Sequence, residues 1–185
     1  MLPADTTPSG SEAPSGSNAV VRLALRFGVG AGIVCGLWLL FLYFTNNEPF
    51  SPKQIMGLLV VPFTAAASQW VLRRQMAPAR SGIGRSLAVG GLTVLIAAVL
   101  AGGSTWALAL VLGDKALAYS RAELVEITKV QQNIRPKEKR NAQFEKQELQ
   151  QAAALSAADL ARGTFTWTLV LGLIGALPAG VFLRK

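Results

Sequence analysis

The sequence predicts an all-α protein: a four-helix transmembrane bundle with an external charged helical hairpin between spans three and four. Three observations carry this. First, 51% of the 185 residues are hydrophobic and only 15% are charged, against roughly 25% charged in an average soluble domain. Second, no charge falls within 27–44, 55–72, 86–113 or 163–183. Apolar runs of about 20 residues at about 1.5 Å each cross a hydrocarbon core of about 30 Å. Third, 114–162 is different in kind, with nine Lys/Arg and seven Asp/Glu.

Residues 1–19, "MLPADTTPSGSEAPSGSNA", are rich in Pro, Ser and Gly and bury too little apolar surface to fold, so a disordered cytoplasmic tail is expected there. The membrane domain is then 20–185. Span one covers about 23–44. It is too long for the apolar region of a cleaved signal peptide, and the flank "TNNEPF" offers no small-x-small cleavage site. Asn46 and Asn47 are helix-stop residues.

"SPKQ" at 51–54 reads as a helix start. Ser51 is the N-cap, Pro52 the first helical residue and Gln54 the partner that reaches back in a capping box. Span two follows over about 53–72, with a kink expected at Pro62. Span three, about 86–113, is longer than the bilayer needs, so it must tilt, kink near Gly102–Gly103, or protrude.

Two helical stripes run through 114–162. Leu117, Leu124, Ile127 and Ile134 share a face of the first arm, and Leu149, Ala153 and Leu160 line up in the second. Pro136 separates the arms. Ser120 and Glu123 fit a second capping box, at which the first arm could restart. The expected result is an αα-hairpin with arms of roughly 19 and 25 residues reaching about 30 Å from the surface; a solvated loop is the alternative. Span four covers about 163–183.

Orientation follows the Lys/Arg bias near span ends. Arg22, Arg26, Arg73, Arg74, Arg80, Arg85, Arg184 and Lys185 fall on one side if the spans alternate. Both termini are therefore expected in the cytoplasm and the hairpin outside it. The net charge of +8 raises the question of nucleic acid, but no aromatic residues interleave with the basic ones. The arginines cluster at span ends instead, so the expected partners are the lipid bilayer and anionic headgroups at Arg73, Arg74, Arg80 and Arg85.

Span one contains "FGVGAGIVCG", with Gly28, Gly32 and Gly36 four residues apart. In lipid, small residues at this spacing let two helix backbones approach closely. Such spacing is common within one bundle, which favours a partner helix in the same chain; a second copy is the alternative. Intramembrane polar candidates are Thr64, Ser68, Gln69 and Thr93, and further hydroxyls occur at Ser104, Thr105, Thr164, Thr166 and Thr168. Interhelical or backbone hydrogen bonding accounts for all of them. No ionisable side chain sits in a span, and no nucleophile–base pair or phosphate loop is visible. With no histidine and one cysteine, no metal or cofactor is expected.

The order of parts resembles a family of bacterial inner-membrane proteins, largely from the Bacteroidota, known as domain-of-unknown-function family 4199. The resemblance lies in the first span "RFGVGAGIVCGLWLLFLY", a loop containing "NEPF", and an arginine-bearing loop into "GRSLAVGGLTVLIAAVL". It continues through a charged segment after "VLGDKALAYSRAEL" to a last span ending "FLRK". It implies a four-span protein of a Gram-negative inner membrane and no functional residues. The expected function is a non-enzymatic envelope interaction or scaffolding protein that contacts a second copy or another envelope protein through 114–162. The alternative is a small transporter or channel subunit acting as a homo-oligomer.

Overall fold

The computed structural model describes residues 16–76, 82–136 and 141–182. Six helices follow in order: α1 (Gly16–Phe44), α2 (Gln54–Leu58), α3 (Val60–Met76), α4 (Ile83–Ile134), α5 (Ala142–Ala153) and α6 (Ala157–Phe182). No strand occurs among the described residues. Four stretches are long and apolar enough to span a membrane: Asn18–Phe44, Gln54–Met76, Ile83–Lys115 and Ala157–Phe182. The protein is a four-span helical bundle with a helical hairpin beyond its spans. α1 begins at Gly16, inside the expected tail; the rest of that tail and Arg80 lie outside the described residues.

α1 ends as the asparagines predict. Asn46 takes a left-handed φ of 53°, which asparagine tolerates better than most residues. The Asn47 N–H then reaches Leu42 O at 2.9 Å and the Asn46 N–H reaches Tyr43 O at 3.1 Å, a Schellman closure that satisfies the last carbonyls.

Span two departs from expectation at its start. The "SPKQ" capping box is not made. The Ser51 hydroxyl donates to Glu48 O at 2.8 Å, Lys53 is the N-cap without a side-chain bond, and the Gln54 amide points into the bundle. Pro62 acts by removing its own N–H and crowding the carbonyl four residues earlier. The resulting interruption falls at Leu59, between α2 and α3.

α4 bends neither at Gly102–Gly103 nor at Ser120. The interruption is Gly113, at φ 67° and ψ −162°, a region open essentially to glycine alone. Here the span ends and the first arm of the hairpin begins. Gly102 instead lies in close contact, where an added Cβ would meet Ala161 O at 3.1 Å. The second arm is not one helix either. α5 is capped by Asn141, whose Oδ1 accepts from Gln143 N and Phe144 N, and it stops at Ala153. Ser156 and Asp159 then form a capping box that starts α6: Asp159 N donates to Ser156 Oγ at 3.2 Å, and Ser156 N to Asp159 Oδ2 at 3.1 Å. The Leu149–Ala153–Leu160 stripe is therefore cut in two.

The core is built from small side chains. Ala31, Cys35, Val61, Ala65, Val94, Ala97, Ala101 and Ala176 form one cluster with Leu58. A second cluster holds Val20, Leu23, Ala24, Leu72 and Val89, but many bulky residues face outward, with Phe63 74% and Val111 81% exposed. A soluble core would reverse this; a surface so apolar marks contact with lipid. α4 is the central helix and packs on both α1 and α6.

Candidate functional site

The glycines of α1 lie against α4. A Cβ built on Gly28 would meet Ile96 Cβ at 2.8 Å, one on Gly32 would meet Leu100 Cβ at 2.5 Å, and one on Gly36 would meet Ser104 Oγ at 3.0 Å. Gly30, on the opposite side, has nothing within 4 Å. The helix facing the seam is thus a span of the same chain.

A longer small-residue stripe escaped the sequence reading. Thr164, Thr168, Gly172, Ala176 and Gly180 are all buried on α6, every fourth residue. Gly172 faces Val94 and Val61, and Gly175 receives the Pro62 ring. The spacing was legible in "TFTWTLVLGLIGALPAG", but two of its five members are threonines, so no glycine repeat announces it.

The polar side chains gather into two layers. Near the Arg73 end, the Thr93 hydroxyl donates to Val89 O at 2.7 Å and stands 3.2 Å from Ser68 Oγ, while the Ser68 hydroxyl donates to Ala65 O at 2.7 Å. Gln69 is 1% exposed and donates from Nε2 to Ala176 O at 2.9 Å, joining α3 to α6. Its Oε1 and the Ser86 hydroxyl are buried with no hydrogen-bond partner among the described residues. Thr64 is half-buried and bonds only its own helix, to Val60 O and Val61 O.

The second layer, near the hairpin, centres on Gln54, which the sequence had placed in a helix cap. Its Nε2 donates to Thr164 Oγ1 at 2.9 Å and to Thr105 Oγ1 at 3.2 Å, tying α2 to α4 and α6. α2 is held in place by α1: Trp38 Nε1 donates to Lys53 O at 3.2 Å and the Cys35 thiol to Gly57 O at 3.5 Å. Above this layer, between α2, the hairpin part of α4 and the start of α6, lies an open cavity of about 370 Å³ with Gln54, Thr164, Glu123 and Asp159 in its wall.

In the hairpin, Arg135 pairs with Glu148 at 3.1 Å, and Gln132 Nε2 donates to Glu145 O at 2.9 Å. The Arg135 guanidinium, then the Gln132 amide, hold the Glu148 carboxyl below its usual range. Arg121 Nε donates to Leu155 O at 2.8 Å and ties the first arm to the turn before α6. The face turned inward therefore carries Leu117, Arg121, Gln132 and Arg135. Of the predicted apolar stripe only Leu117 is buried; Leu124 and Ile127 are partly exposed in the wall of that cavity, and Ile134 is 77% exposed. The reason is chemical. The second arm offers carboxylate and carbonyl acceptors rather than a long apolar face, so the polar side chains of the first arm turn toward it.

Arg73, Arg74 and Arg85 are exposed at the end of the bundle away from the hairpin, and the Arg74 guanidinium lies 4.0 Å over the Trp70 ring. No group of three or more metal-ligating side chains occurs among the described residues. A protein-family model described as "Protein of unknown function (DUF4199)" matches residues 26–185. No curated protein and no solved structure matches the chain.

Proposed function

The chain belongs to the DUF4199 family of proteins of unknown function, and we propose that it is a non-enzymatic interaction or scaffolding protein of a bacterial inner membrane, its termini cytoplasmic and its hairpin on the far side. The observation that carries this is the face the hairpin leaves uncovered. Val130, Ile134 and Phe144 are 51%, 77% and 52% exposed, beyond the four spans. Large apolar side chains exposed outside the hydrocarbon are an ordinary mark of a surface that another protein covers. Exposed Arg73, Arg74 and Arg85, with Arg80 between them in sequence, support a cytoplasmic face set against anionic headgroups.

The alternative, a pore-forming homo-oligomer, has less support, because the α1 seam that would join the copies is occupied by α4. The test is a photo-cross-linking residue at Phe144 in the full chain in its native membrane, with and without the Val130→Asp/Ile134→Asp double substitution. The proposal expects defined cross-linked species that the double variant loses while the bundle stays inserted. An unchanged pattern in the double variant overturns it.

A further inference from the structure

We propose that the cavity between α2, the hairpin part of α4 and the start of α6 is a lipid site, which takes the primary ammonium headgroup and part of the acyl chain of a phosphatidylethanolamine-type lipid from the bilayer. At about 370 Å³ it falls in the size range of small-molecule sites, roughly 300–1,000 Å³. Its walls are amphipathic in the sense such a ligand needs. Phe50, Ile55, Leu58, Leu160 and Trp167 supply apolar surface. Ile55 and Trp167 are also 45% and 57% exposed at the ends of two spans, where bilayer lipid has direct access.

The polar wall is one-signed. Glu123 and Asp159 line the cavity and no described Lys or Arg does, in a chain of net charge +8. Asp159 meets Arg162 at 3.5 Å and accepts from Ser156, whereas Glu123 makes no ion pair with a described residue. Gln54 spends its amide N–H groups on Thr105 and Thr164, and its Oε1 accepts from no described residue. The cavity therefore presents acceptors and negative charge, which a primary ammonium with three N–H donors satisfies. A quaternary ammonium has the charge without the donors, and the phosphatidylglycerol headgroup has hydroxyl donors without the positive charge. Gly163 keeps the wall open: a Cβ built there has nothing within 4 Å.

The experiment places the full chain in nanodiscs of equal phosphatidylethanolamine, phosphatidylcholine and phosphatidylglycerol, then counts the lipids retained on gentle release by native mass spectrometry. Expected is one retained phosphatidylethanolamine per chain, preferred about tenfold over phosphatidylcholine, the size of one charge-assisted hydrogen bond. Gly163→Phe should abolish that retention, while Gly30→Phe, an equal addition on an open face of α1, leaves it intact. Glu123→Gln, a change that disturbs no described ion pair, should by itself reduce the preference over phosphatidylcholine. No retained lipid, equal retention of the three lipids, or a preference unmoved by Glu123→Gln overturns the site.

Discussion

At single residues, the cost of a change is set by what lies within a few ångströms. Gly32→Ile must displace Leu100, whose Cβ is 2.5 Å from the new carbon, and overpacking of this kind costs about 1–3 kcal/mol. Gly30→Ile, ~160° around the helix, should be close to neutral. Thermal unfolding in detergent compares the two, and equal losses would show that the contact has no direction. Gln69 makes a contrasting case. Its interhelical bond to Ala176 O is offset by a buried Oε1 that has no partner among the described residues. Intramembrane hydrogen bonds average about 0.6 kcal/mol. Gln69→Met keeps the length and removes both the bond and the orphan, so a stability change under about 1 kcal/mol is expected. Gly113→Ala forces a side chain into a φ of 67° and should cost about 1–3 kcal/mol, with the hairpin displaced relative to the spans.

Among the elements, the hairpin is the one that pH can address. The Glu148 carboxyl is held below its ordinary value of 4.5 by Arg135 and Gln132. A lowered value in the folded state means the folded hairpin prefers the ionised form. The contribution is present above about pH 4.5 and is lost as the pH falls through the lowered value. Spin labels at Lys129 and Gln147 should report a fixed distance at neutral pH that broadens in acid. Arg135→Gln should remove most of that pH dependence and broaden the distribution at neutral pH as well. A distance distribution unchanged from neutral to strongly acidic pH would show that the pair does not hold the arms together.

For the whole molecule the prediction concerns orientation. Gln75 lies in the last turn of α3 beside the arginines, and Gln143 lies in α5 of the hairpin. The native Cys35 is buried, so a single introduced cysteine gives a clean signal. An impermeant maleimide should label Gln143→Cys in intact spheroplasts and Gln75→Cys only after permeabilisation. The reverse pattern would invert the proposed orientation.

The four spans were legible in the sequence because a bilayer imposes a length and a polarity that can be counted along the chain. The stop at Asn46–Asn47 was legible because a Schellman closure is local. The α1 glycines were visible as a repeat, but only the fold shows that α4 is what they face. Three Ser-x-x-acceptor patterns among the described residues show where local reading ends: Ser51–Gln54, Ser120–Glu123 and Ser156–Asp159 look alike in sequence, yet of these only the last forms a capping box. Gln54 is drawn away by Thr105 and Thr164, which are 51 and 110 residues distant, and such a competitor does not appear in any local window. The hairpin stripe was misplaced for the same reason. Amphipathic spacing shows that a helix has an apolar side, but which side turns inward depends on what the neighbouring helix offers, and here it offered acceptors. Tertiary structure alone decided the pairing of α4 with both α1 and α6, the break at Gly113, and the cavity left where three elements meet without filling the space between them.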